Sequence, residues 1–196
     1  FMGSAQLLNA REVQCPDAKG DAQLLKAGHI VIATGASARE LPMLPFDGKR
    51  VWGYRDALSA KELPKSLAVI GAGAIGMEFA SFYASLGTQV TVVEAADRVL
   101  PASDADVSAF VQQSMANDGI QFLTSAKLVA AKVNEGDVEL SVEQGGQLHS
   151  LHAERVLVAV GLAGNTAGLG LEHTAVSLDR GIIATGAWGA TSEPGV

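Results

Sequence analysis

The stretch Ser66-Leu-Ala-Val-Ile-Gly-Ala-Gly-Ala-Ile-Gly76 decides the fold. Its first five residues are a short, mostly apolar run, the pattern of a strand buried on both faces of a parallel sheet. Its last six carry the spacing G-x-G-x-x-G. From residue 74 to residue 86 the apolar residues Ile75, Phe79, Phe82, Tyr83 and Leu86 recur at helical spacing, which predicts a helix with one apolar face, closed by Gly87. Gln89-Val-Thr-Val-Val93 is a second buried strand ending at Glu94, so residues 67–94 read as one βαβ unit.

A lone glycine spacing is a weak signal, but strand, helix and terminal acid together make it a dinucleotide-binding turn. Dinucleotide phosphates need backbone N–H groups and a positive helix end at close range. Gly71 permits the sharp exit from the strand, Gly73 lets a pyrophosphate approach the backbone, and Gly76 lets helix and strand pack closely. A carboxylate at Glu94 accepts hydrogen bonds from ribose hydroxyls and repels a 2′-phosphate, which favours NAD over NADP. Arg98, the nearby cation, reads as an exposed salt bridge or a loop anchor. Glu78 reads as a favourable charge in a helical first turn.

Outward from this unit, residues 104–117 predict a second crossover helix with Val107, Phe110, Val111 and Met115 inward and Ser103 or Asp104 as cap. Residues 120–123 and 156–160 predict further strands. Between them, residues 127–155 alternate apolar and polar around Asn134-Glu-Gly-Asp137 and Gly145-Gly146, an antiparallel excursion. Toward the start, residues 5–8, 12–15, 22–25 and 29–33 predict short strands of a β-meander, punctuated at 17–21 and 27–28. Residues 41–63, interrupted by Pro42, Pro45, Gly48 and Gly53, form a connector with a helical hint from Arg55 to Glu62.

Composition limits the function classes. Hydrophobic residues make up 48% and charged residues 18% of 196, which excludes a disordered chain. A net charge of -7 argues against nucleic acid or anionic lipid as partner. The apolar runs are far shorter than the roughly 20 residues of a membrane span, and no signal-peptide pattern opens the chain, so the expectation is a cytoplasmic protein. Cys15 stands alone and reads as a small apolar residue. His29, His149, His152 and His173 are scattered; on a strand, His149 and His152 point to opposite faces, which speaks against a metal site.

The chain resembles the pyridine nucleotide-disulfide oxidoreductases, and among them the dihydrolipoamide dehydrogenases. The matching pieces are His29-Ile-Val-Ile-Ala-Thr-Gly35, Asp56-Ala-Leu58, Leu63-Pro-Lys65, Gly71 through Ala80, Val92-Val-Glu94, Asp97-Arg-Val-Leu-Pro101, Val158-Ala-Val-Gly161 and Thr191-Ser-Glu-Pro-Gly195. The resemblance implies that Gly71, Ala72, Gly73, Ala74, Ile75, Gly76, Met77 and Glu78 wrap the NAD pyrophosphate and that Glu94 holds the adenosine ribose. It further implies that Leu128 contacts adenine, that Gly161 lies near the nicotinamide, and that Glu78 lies near a flavin.

The implied parent is a homodimer in which NAD(H) and FAD exchange hydride and a cysteine pair serves dihydrolipoyl groups. The family's FAD-binding glycine turn, its redox cysteine pair and its dimerisation domain find no counterpart here, and Gly161-Leu-Ala-Gly-Asn165 departs from the family's Gly-Arg-x-Pro-Asn. The expectation is therefore an α/β, Rossmann-like NAD-binding segment, binding NAD without turnover by itself. Its boundaries are 1–40 as a partial FAD-domain β-meander, 41–63 as connector, 64–185 as NAD-binding domain and 186–196 as a return toward the FAD domain. The alternatives are a stand-alone NAD-binding module, or a piece of a mercuric reductase, glutathione reductase or NADH oxidase relative.

Overall fold

A computed structural model describes residues 3–16 and 19–196; residues 17 and 18 of the expected punctuation lie outside them. In chain order the strands and helices are β1 (Gln6–Asn9), β2 (Glu12–Pro16), β3 (Ala22–Lys26), β4 (Ala36–Ala38), β5 (Val51–Trp52), α1 (Tyr54–Leu58), β6 (Ser66–Ile70), α2 (Ala74–Ser85) and β7 (Gln89–Val93). There follow α3 (Ala105–Asn117), β8 (Gln121–Leu123), β9 (Ala126–Val133), β10 (Val138–Gln144), β11 (Gln147–Ala153), β12 (Arg155–Val158), β13 (Leu162–Gly164), β14 (Leu178–Asp179) and β15 (Ile182–Ile183). The chain divides into two compact units, residues 38–161 and residues 1–37 with 162–196.

The 38–161 unit is built on a five-stranded sheet in the order β5-β12-β6-β7-β8, parallel throughout. Alternation along its strands explains its three layers. Leu67, Val69, Val90, Val92 and Leu157 face one core, with Met77, Ala80 and Tyr83 of α2 and Met115 of α3. Their neighbours Ala68, Ile70, Val93, Val156 and Val158 face a second core, with Val138, Leu140 and Val142 of β10. The antiparallel sheet β11-β10-β9 thus covers one face of the parallel sheet, and the helices cover the other.

The helix boundaries match the sequence reading more closely than the helix faces do. Helix α2 buries Gly76, Met77, Phe79, Ala80 and Tyr83, whereas Phe82 is 53% exposed and Leu86 also faces outward. Helix α3 buries Ser108 and Met115 and leaves Phe110 75% exposed. Small residues allow close packing on the sheet, so Gly76, Ala80 and Ser108 share the buried faces with the expected Phe79, Tyr83 and Met115. Gly87, at φ +94°, follows the last turn of α2 as expected. Asp104 stands at the N-cap of α3 without a side-chain cap bond.

The other unit holds the antiparallel meander β1-β2-β3, the pair β13-β4 and the hairpin β14-β15. Leu7, Cys15 and Leu171 are its buried apolar residues. The strand expected over residues 29–33 does not form. That segment runs as irregular backbone with Val31 exposed; Ile30 N–H donates to Gly195 O at 2.8 Å instead of joining a ladder. An apolar, β-branched string needs a neighbouring strand to become one, and strand propensity alone does not supply it.

Candidate nucleotide-binding site

The glycine turn lies at the carboxyl end of β6, beside the carboxyl ends of β7 and β12. It is tied to both: Gly71 N–H donates to Val93 O at 2.8 Å, and Ala159 N–H donates to Ile70 O at 2.8 Å. The three glycines meet different surroundings. Gly71 sits at φ +102°, and a Cβ there would lie 2.6 Å from Ala159 O. At Gly76 a Cβ would overlap Gly71 O. At Gly73, with φ -71°, a Cβ would meet nothing within 4 Å. Two of the glycines therefore serve packing, and the third leaves an open cradle at the start of α2, where free N–H groups and the helix dipole favour an anion.

A cleft of about 680 Å³ opens beside that cradle. It brings together Gly71, Gly73, Ala74, Ile75, Glu94, Leu128 and Gly161. Three other expected residues are packed away from it. Ala72 is fully buried, Met77 lies in the helix-side core, and Gly76 is closed against Gly71. Glu78 lines a separate, largely apolar hollow with Tyr54, Leu58, Ile75, Phe79 and Phe82. Leu41, Met43, Ala126 and Lys127 also line the cleft and were not anticipated. Lys127 adjoins Leu128 and could have been found from it; Leu41 and Met43 come from the connector, whose sequence carries no periodicity to flag them.

Glu94 is half-buried at the cleft wall with both carboxylate oxygens engaged. One accepts from Ala72 N–H at 2.6 Å and the other from Ala96 N–H at 2.7 Å. Its own backbone is held from two sides, donating to Leu123 O and accepting from Ala126 N–H. A carboxylate oxygen can accept more than one hydrogen bond, so each retains capacity for a hydroxyl donor. Of the two roles expected of Arg98, an exposed salt bridge or a loop anchor, the first does not hold among the described residues: its Nε is buried and has no hydrogen-bond partner there.

Away from the cleft, His152 Nδ1 meets Asp137 Oδ2 at 2.7 Å, and Asn134 Nδ2 donates to Asp137 Oδ1 at 2.9 Å. The Asn134 hydrogen bond first, then His152, holds the Asp137 carboxyl below the usual carboxylate range. At Asp47, burial pushes the carboxyl up, but N–H donors from Val51, Lys49 and Arg50 outweigh it and leave the group lowered.

Comparison with known proteins places this geometry in a family. The family model described as pyridine nucleotide-disulphide oxidoreductase matches residues 3–196. A dihydrolipoyl dehydrogenase of Rhizobium etli is 43% identical over 171 residues, 87% of this chain and 36% of the relative. A dihydrolipoyl dehydrogenase of Zymomonas mobilis is 40% identical over 193 residues, 97% of this chain and 41% of the relative. Among solved structures, the HOCl-induced flavoprotein disulfide reductase RclA of Escherichia coli, as its Cu(II) complex, superposes with a TM-score of 0.85 at 27% identity, over 98% of this chain and 43% of that one. The chain thus spans about two fifths of the length of the proteins it matches.

Proposed function

Because the chain belongs to the pyridine nucleotide-disulphide oxidoreductase family, a family of flavoprotein disulfide oxidoreductases, we propose that its 38–161 unit is the NAD(H)-binding body of a dihydrolipoyl dehydrogenase-like enzyme. The observation that carries this reading is the open cradle at Gly73, set between two glycines that have no room for a side chain and beside the Glu94 carboxylate. The N–H groups at the start of α2 would receive the pyrophosphate, and Glu94 would accept the adenosine ribose hydroxyls. Leu128, buried at the cleft wall, would pack against adenine, and Gly161, at φ +110°, would border the nicotinamide end.

NAD, when bound, supplies a nicotinamide that carries hydride. What the described residues supply is binding and orientation. In the whole enzyme the hydride would pass between NAD(H) and FAD, serving a disulfide substrate, in a homodimer; the unit formed by residues 1–37 and 162–196 would belong to the flavin side. The chain by itself would bind nucleotide without turnover.

Calorimetric titration of the chain with NADH and NADPH tests the reading. NADH is expected to bind at least about tenfold more tightly, since Glu94 would face the 2′-phosphate as a like charge. Equal affinity, or preference for NADPH, would remove Glu94 from the ribose site.

A further inference from the structure

The structure gives Glu94 a second task that ribose recognition does not require. Ala72 is fully buried, so its N–H has no water to turn to. That N–H donates to Glu94 at 2.6 Å, while Ala72 O accepts from Leu100 N–H at 2.8 Å. The peptide units on both sides of Ala72 are thereby fixed, one through the end of β7 and the other through the segment that follows it. Glu94 is itself anchored by Leu123 and Ala126, in β8 and β9. The Glu94 backbone, held by β8 and β9, thus carries a carboxylate that reaches into the middle of the glycine turn.

Resting on the nucleotide-binding reading, we propose that Glu94 is a positioning residue for the glycine turn as well as a ribose acceptor. By occupying Ala72 N–H it withholds that donor from the phosphates and holds the turn so that the N–H groups beyond Gly73 meet the diphosphate. The ribose subsite and the pyrophosphate subsite are then one coupled unit, read through a single side chain. Glu94→Gln is the informative variant because it is isosteric. Gln has one acceptor oxygen where Glu94 uses two, and its amide nitrogen would confront an N–H with another donor.

A ligand without ribose hydroxyls separates the two tasks. The intact chain and the Glu94→Gln variant are titrated with ADP and with 2′,3′-dideoxyadenosine diphosphate, which keeps the diphosphate and lacks both hydroxyls. If Glu94 only read the ribose, removing its negative charge would leave the dideoxy ligand bound as tightly as before, or more tightly. The proposal predicts a loss of about fivefold or more on that ligand, and a larger loss on ADP. Equal or tighter binding of the dideoxy ligand by the variant overturns it.

The second measurement needs no ligand. Amide hydrogen exchange at Ala72 should accelerate at least about tenfold in the variant, with exchange in the centre of β6 unchanged, whereas equal protection at Ala72 overturns the proposal. Failure of the intact chain to bind ADP and NADH would instead contradict the nucleotide-binding reading, and the Ala72 exchange rate would still decide the role of Glu94 in the turn.

Discussion

At the scale of single residues, the glycine turn divides into parts that serve folding and a part that is open to a ligand. Gly71→Ala meets a positive φ and Ala159 O, and Gly76→Ala meets Gly71 O. Both should lose stability, by about 1 to 3 kcal/mol, as overpacked sites do, and a thermal melt checks it. Gly73→Ala has room and an ordinary backbone, so its melt should stay within about 1 kcal/mol of the parent while calorimetry shows NADH affinity reduced at least tenfold, roughly 1.4 kcal/mol. The sequence reading already set Gly73 apart as the glycine open to a ligand; what the spacing did not show is how closely Ala159 O, just past β12 and far along the chain, lies against Gly71. The same is true of Ala72 and Met77. They sit within the motif but are packed into the interior, while Lys127, outside it, reaches the cleft.

At the scale of elements, legibility followed burial on two faces. The runs at β6 and β7 were readable because, apart from Ser66, Gln89 and Thr91, their positions are apolar and buried where both faces of the sheet are covered. The faces of α2 and α3 were legible in part: Phe79, Tyr83 and Met115 are buried as their spacing predicts, whereas Phe82, Leu86, Val107 and Phe110 are exposed. The small residues Gly76, Ala80 and Ser108 take buried places that apolar bulk does not flag. Tyr83 joins these levels: fully buried on α2, it donates from its hydroxyl to Ala57 O in α1 at 2.7 Å. Tyr83→Phe keeps the packing and leaves a buried carbonyl unpaired, so it should cost about 1 to 3 kcal/mol in a denaturant titration.

The turn entering β5 adds a pH dependence. Asp47 Oδ1 accepts from the N–H groups of Lys49, Arg50 and Val51 at 2.7 to 2.8 Å, and its carboxyl, like that of Asp137, is held below the ordinary value. A carboxyl lowered in the folded state takes up its proton more readily when unfolded. Its contribution is present above the unfolded value of about 4 and is lost as pH falls through the folded value. The melting temperature should therefore drop on acidification below about pH 4. In Asp47→Asn, which keeps an acceptor oxygen and cannot titrate, the drop should be shallower; an unchanged acid slope would show that Asp47 does not contribute to it.

At the scale of the molecule, the three-layer unit explains why the cleft forms where it does. The parallel strands all deliver their carboxyl ends to one edge, and there the turn after β6, Glu94 after β7 and Gly161 after β12 converge. The βαβ core and the antiparallel excursion were legible from alternation and turn residues. The contribution of Leu41 and Met43 was not, because a connector without periodicity gains its place only when the sheet offers a surface to cover. The central claim, that this cleft binds NAD(H) through the cradle at Gly73, is tested most directly by calorimetry of NADH against the intact chain and its Gly73→Ala variant, each confirmed folded by its melt. The account predicts saturable one-to-one binding that weakens at least about tenfold in the variant. Equal NADH affinity in the two folded proteins would contradict it.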